Sequence, residues 1–325
     1  MTVSREKWLA GIDIGGTTIK LAFLTEAGEV KTKWEIPTAI NEGGTKVVKD
    51  IGQTIREKLS ELGQESDTVI AAGVGAPGFL EIETGFVYEA INLGWKDFAL
   101  KDELEHELGV SVSVDNDANI AALGEMWLGA GDGAQDVLFI TLGTGVGGGV
   151  IANGQILHGA NGMAGELGHI TSVPEGGRQC NCGKTGCLET VSSATGIVQL
   201  ASDLLPEYPD STLLPLHNDG KLTARDVIVF AEDGDICAKA VVEKSMFYLG
   251  FALANLANTL NPSRIVIGGG VSKGGQTLLD PLNDTYSKFV LKRVKEAADI
   301  KIAELGNDAG IVGAAWIAKE AKRKA

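Results

Sequence analysis

No run of apolar residues in this chain approaches the ~20 needed to cross a bilayer as a helix. That excludes a helical membrane span. Basic residues are scarce: 28 Lys and Arg stand against 43 Asp and Glu in 325 residues, for a net charge of −15. Phosphate backbones demand a basic face, so a general nucleic-acid binder is excluded. Cysteine is also rare. Of four, three crowd together as Cys180, Cys182 and Cys187, which argues against a disulfide framework and for a metal site. Cys237 stands alone in a helical pattern and reads as a small buried apolar residue. There is no Walker loop of the form G-x-x-x-x-G-K-[ST], no G-x-G-x-x-G opening a helix, no low-complexity linker and no short-period repeat. The charged start runs directly into a strand pattern, so no secretory signal and a cytoplasmic location are expected.

What is present is a regular alternation of strand and helix patterns, which sets the class as α/β. "TKVVKDIGQTIREKLSELG" places Val47, Val48, Ile51, Ile55, Leu59 and Leu62 on one helical face, with Gly63 as its stop. Helical patterns also fill 193–205 and 223–260, the second ended by Asn261-Pro262. A strand, "IKIAELG", and a helix with a basic C-terminal end close the chain. One device occurs twice. "GIDIGGTTIKLAFL" and "FITLGTGVGGGVIA" are each a strand, a Gly/Thr turn and a second strand.

Such turns leave backbone N–H groups open to phosphate oxygens. Gly15, Gly16, Thr17 and Thr18 form one cradle; Thr141, Gly143, Thr144, Gly145 and Gly147 form the other. Gly268, Gly269 and Gly270 end a further strand, where open α/β sheets bind ligands. Each cluster alone also reads as an ordinary tight turn; together they favour a nucleotide site. Asp13 precedes the first cradle. A carboxylate there would repel ATP unless Mg²⁺ stood between them, held directly or through water. Asp117, in "VDNDANIAALGE", is either a general base for a hydroxyl or a helix cap, with Asp115, Asn116 and Asn119 able to share those tasks. His169 with Cys180, Cys182 and Cys187 makes a Cys₃His set suited to tetrahedral, structural zinc. Glu166 and Glu189 flank that knot, placed to accept hydrogen bonds from a polyol.

The segments "GIDIGGTTIKLA", "VGAPG", "NLGW", "NDANIAALGE", "TLGTGVGGGV", "GMAGELGH", "CNCGKTGCLE", "NPSRIVIGGGV" and "GNDAGIVGAA" together resemble the ROK family of sugar kinases along nearly the whole chain, most of all its bacterial ATP-dependent glucokinases. The resemblance implies an actin/hexokinase-type (ribonuclease H-like) fold of two α/β domains around a cleft. It implies a small domain over 1–118 completed by a helix at about 308–325, and a large domain over 119–307 that carries the zinc loop. It makes Asp117 the catalytic base and lines the sugar pocket with Gly78, Asn92, Asn116, Asp117, Glu166, His169 and Glu189. Asp13 to Thr18, Thr141 to Gly149 and the Gly268 cluster would hold ATP. Glucose and ATP are the implied substrates, Mg²⁺ and Zn²⁺ the implied ions, and a homodimer or homotetramer the implied assembly. Asp115 stands where relatives often carry Glu. The rival expectations are a kinase for N-acetylglucosamine, N-acetylmannosamine, mannose or fructose, and a non-catalytic sugar-sensing relative. The family's repressors carry a DNA-binding segment before the first strand, and only a handful of residues precede it here.

Overall fold

The structure, a computed structural model, describes residues 6–324. It divides into two compact units. One gathers the chain up to Gly133, residues 156–164 and the segment from Asn307 onward; the other holds 134–155 and 165–306.

The first unit is built on a five-stranded sheet. Strands β1 (Trp8–Ile14), β2 (Thr18–Thr25) and β3 (Val30–Pro37) form an antiparallel meander. Beyond β1, β4 (Val69–Ala76) continues the sheet in parallel. A small antiparallel sheet follows, β5 (Phe79–Glu81), β6 (Phe86–Ala90) and β7 (Trp95–Phe98). Then β8 (Val112–Asn116) closes the main sheet in the order β3-β2-β1-β4-β8. Helix α1 (Val47–Glu61) buries Val47, Val48, Ile51, Ile55 and Leu59 against that sheet's core. Leu62 departs from expectation: it caps the helix and is exposed, while Gly63 makes the left-handed stop at φ 64°. Helix α2 (Leu100–Leu108) ends at Gly109 and buries Leu100 and Leu104. Helix α3 (Asp117–Leu128) and the C-terminal helix (Ala309–Lys324) pack on each other, and the C-terminal helix also lies on β1 and β4.

The second unit repeats the plan. Strands β9 (Val137–Leu142) and β10 (Val146–Ala152) form a hairpin, β11 (Gln155–Ile156) extends it, and β12 (Arg264–Gly268) and β13 (Asp299–Ile302) add in parallel beyond β9. Its helices are α4 (Glu189–Ser192), α5 (Ala194–Leu204), α6 (Leu214–Asn218), α7 (Ala224–Glu232), α8 (Ile236–Leu260), α9 (Gln276–Phe289) and α10 (Lys292–Ala297). The core runs through β9, α5, α7 and α8.

Two boundaries differ from the sequence reading. The helical pattern over 223–260 is two helices, because Gly234 turns left-handed at φ 101° and Asp235 starts α8 anew by accepting from the Ala238 N–H at 2.8 Å. The division between units falls after Gly133 rather than at 118, since α3 packs against the C-terminal helix; residues 156–164 also group with the first unit. Among the described residues, no helix is long and apolar enough to cross a membrane.

Candidate active site and metal centre

In the first unit the Gly15-Gly16 bend is closed by Gly15 N–H donating to the Thr18 carbonyl at 3.0 Å. Thr38 fastens it from outside: its hydroxyl donates to the Gly15 carbonyl at 2.7 Å and its N–H to the Thr17 carbonyl at 2.9 Å. Asp13 sits one residue before the end of β1, opposite Lys20 in the register. Its carboxylate lies against Gly310, in the first turn of the C-terminal helix, where a side chain would run into it. Burial pushes Asp13 up to about 6; Lys20 pulls it down and the charge of Asp117 raises it further. A half-buried acid with a neighbouring acid is a place that a divalent cation stabilises.

Asp117 is the first residue of α3, and the structure separates it from the capping task. Asn116 is the cap: its side-chain oxygen accepts from Ala118 N–H at 2.9 Å and Asn119 N–H at 3.4 Å. Asp117 reaches solvent, with one oxygen accepting from Ala118 N–H at 2.8 Å. Protein packed around it still desolvates the carboxyl enough to raise its pKa, against the backbone N–H groups and the Asn116 side chain, which lower it. Asn92 lies beside Gly16, and Gly78 joins β4 to β5 with φ 104°, against the backbone of Glu89 and Ala90. The first unit therefore gathers Asp13, the Gly15–Thr18 turn, Asn92, Asn116 and Asp117.

The second unit gathers the rest. Gly143 N–H donates to the Gly145 carbonyl at 2.9 Å, closing the β9–β10 turn. Helix α5 holds that turn: Ala194 N–H donates to the Gly143 carbonyl at 2.8 Å and the Thr195 hydroxyl to the Thr144 carbonyl at 3.1 Å. Gly268 pairs with Thr141 in the sheet, so the two predicted glycine clusters are neighbours. Beside them opens a cavity of about 750 Å³, lined by Gly143, Thr144 and Gly270 together with residues that the sequence reading missed. These are Thr223, Arg225, Ile228, Glu232 and Lys273. A signal for them exists in "TARDVIVFAE", where Arg225, Ile228, Val229 and Glu232 share one helical face behind a Thr223–Asp226 capping box.

The cysteine loop meets a direct test of fit. One ligand atom each from His169, Cys180, Cys182 and Cys187 lies within 4.8 Å of all the others. Cys182 and Cys187 sulfurs are 3.6 Å apart, and Cys180 Sγ is 3.7 Å from His169 Nδ1. Tetrahedral zinc, with Zn–S and Zn–N bonds of ordinary length, would set those edges at about 3.8 and 3.6 Å. Burial pushes Cys187 up to about 12 and Cys180 upward, so a cation's charge is what would make them thiolates. His169 gives Nδ1 to this cluster and turns Nε2 toward Glu166, 3.8 Å away. Glu189, opening α4, accepts from the Cys180 thiol on one oxygen and from Val146 N–H at 3.0 Å on the other. It thereby joins the cysteine loop to the β9–β10 turn.

Comparison with known proteins agrees with this architecture. The model of the ROK family matches residues 9–321. A glucokinase of Halalkalibacterium halodurans is 57% identical over 97% of this chain and 96% of its own. Among solved structures, a ROK hexokinase from Thermus thermophilus superposes with TM-score 0.83 at 31% identity, covering 98% of this chain and all of that one. A Streptomyces griseus ROK glucokinase, solved in complex with glucose and AMPPNP, gives TM-score 0.75 at 34% identity over 96% of this chain and 99% of its own. The two-unit α/β kinase fold is the one present, and this chain belongs to the ROK family.

Proposed function

We propose that this protein is an ATP-dependent glucokinase that phosphorylates D-glucose on its 6-hydroxyl, with Asp117 as general base. The observation that carries the reading is the division of labour at the start of α3: Asn116 caps the helix, which leaves the Asp117 carboxylate turned to solvent with lone pairs to spare. The 57% identity to a glucokinase over 97% of the chain supports the substrate.

Asp117 would accept the hydroxyl proton as the sugar oxygen attacks the γ-phosphoryl group. The raised pKa makes it a stronger base than a free aspartate. Because phosphoryl transfer passes through a loose transition state, orienting the alcohol matters more than removing its proton early. Asn116, Asn92 and Gly78 in the first unit, and Glu166, His169 and Glu189 in the second, would bind the sugar hydroxyls. Backbone N–H groups of the two glycine turns would hold the phosphates, with the adenosine in the cavity beside α7. Magnesium held at Asp13 would neutralise phosphate charge. Zinc held by His169, Cys180, Cys182 and Cys187 would fix the loop that carries the sugar-binding acids. We assign a cytoplasmic homo-oligomer, a dimer or a tetramer, whose size light scattering would give.

ADP release across glucose, mannose, fructose, N-acetylglucosamine and N-acetylmannosamine, with and without Mg²⁺, tests the reading. Turnover fastest with glucose and dependent on Mg²⁺ supports it. Preference for an acetamido sugar would move the substrate, and sugar binding without ADP release would make the chain a sensor.

A further inference from the structure

Asp115, in β8, is a buried acid that the mechanism does not use, at 3% exposure. Both of its oxygens are engaged. Oδ1 accepts from Asn116 N–H at 2.8 Å and from the Asn119 side-chain amide at 2.8 Å. Oδ2 lies 2.8 Å from Nε2 of His158. These contacts bracket the turn that carries Asp117, because Asn116 precedes it and Asn119 lies two residues after it. His158 comes from far along the chain. Its carbonyl accepts from Ala164 N–H at 3.0 Å, closing the loop of residues 158–164, which groups with the first unit.

We propose that His158 is a positioning residue for the phosphoryl-transfer reaction: by pairing with Asp115 it fixes the β8–α3 turn and so the direction of the Asp117 carboxylate. A carboxylate enclosed in protein needs donors and, where available, a counter-charge, and removing one partner costs far more than the pair is worth. His158 is the only cationic side chain paired with Asp115 among the described residues. The pairing raises the pKa of His158 and thus favours its charged form. Without His158, Oδ2 of Asp115 would seek water or another donor, and Asn116 and Asn119 are tied to Oδ1 of the same carboxylate. Displacements of about 1 Å at a reacting group can cost on the order of 10²-fold in rate.

The inference rests on the glucokinase reading above, and its test separates the two. His158→Ala removes the contact. His158→Gln keeps a donor, because the glutamine amide nitrogen stands the same number of bonds from Cβ as Nε2. Once glucose turnover by the native protein has been measured, kcat, both KM values and the melting temperature are compared. The expected result is a fall in kcat of about 10- to 100-fold for His158→Ala, with the KM for ATP unmoved and most of the rate regained in His158→Gln. Amide hydrogen exchange at Ala118 and Asn119, whose N–H groups the turn holds, should quicken in the alanine variant alone. Unchanged kcat in His158→Ala overturns the proposal. So does an equal loss in both variants that tracks melting temperature, which would mean support of the fold only. If the native protein phosphorylates no hexose, the glucokinase reading fails, and exchange at Ala118 and Asn119 decides the positioning claim: faster only in the alanine variant supports it, unaltered overturns it.

Discussion

The β1–β2 and β9–β10 hairpins are one device used twice, antiparallel strands joined at a glycine turn, yet they are furnished with opposite chemistry. Two positions before the first glycine, one has Asp13 and the other Thr141. In the first, a carboxylate is built into the strand, half-buried, and charged only against the cost of its burial. In the second, the strand offers a hydroxyl, and the carboxylate arrives from elsewhere, as Glu189 accepting from Val146 N–H. A turn of open N–H groups is an anion cradle in both cases. The acid decides what else it needs. The Asp13 hairpin suits phosphates accompanied by a cation, whereas the Thr141 hairpin can take phosphate oxygens directly. Its carboxylate is delivered by the cysteine loop, which ties that hairpin to the cluster of His169, Cys180, Cys182 and Cys187.

The largest expected effect lies at the proposed general base. Asp117→Ala should lose about 10²–10⁴ in kcat, the usual contribution of a positioned base, while calorimetry still detects glucose binding. Near-normal turnover would remove Asp117 from the mechanism. Chelation of zinc should act on one hairpin only. Glu166 and Glu189 lose their fixed places, so glucose KM should rise on the order of 10²-fold, followed by loss of metal confirmed by elemental analysis. A metal-free preparation with native KM would contradict the link through Glu189.

A matched pair of substitutions sharpens the contrast. A methyl at Gly310 meets the Asp13 carboxylate, and a methyl at Gly145 meets that of Glu189. Each should cost about 1–3 kcal/mol of stability by overpacking, read from thermal denaturation. Their kinetic signatures should differ: Gly310→Ala raises the Mg²⁺ needed for half-maximal rate, and Gly145→Ala raises glucose KM. The smallest effect is in pH dependence. Asp13 titrates near 6 in the folded chain against an ordinary 3.8, so between those values the folded state binds the proton that the unfolded state releases. Stability without Mg²⁺ should therefore fall as pH rises from about 4 to about 6, and Asp13→Asn should remove that part of the slope. Denaturant midpoints across that range give the answer.

Much of this was legible in the sequence because it rests on local chemistry. Glycine turns, the cysteine spacing and the Asn-Asp-Ala-Asn helix start are each written in adjacent residues, and Gly63 marks a helix end where expected. What was not legible depends on residues meeting from afar. The cavity wall of α7 carries an unremarkable amphipathic pattern, and Arg225 or Lys273 announces no role until the fold sets it beside Gly143 and Gly270. His158 is a lone histidine in a glycine-rich stretch, 43 residues from the acid it pairs with. Whether Asn116 or Asp117 caps α3 could not be read either, because both types cap well and only the backbone angles at the helix start choose between them.

In the proposed reaction Asp117 receives the proton of the sugar's primary alcohol while ATP lies against the glycine turns. Competition between glucose and 6-deoxyglucose tests it most directly, with ADP release and sugar-phosphate formation followed together. 6-Deoxyglucose should inhibit glucose phosphorylation competitively and should itself never be phosphorylated. A phosphorylated 6-deoxyglucose, or no competition at all, would contradict it.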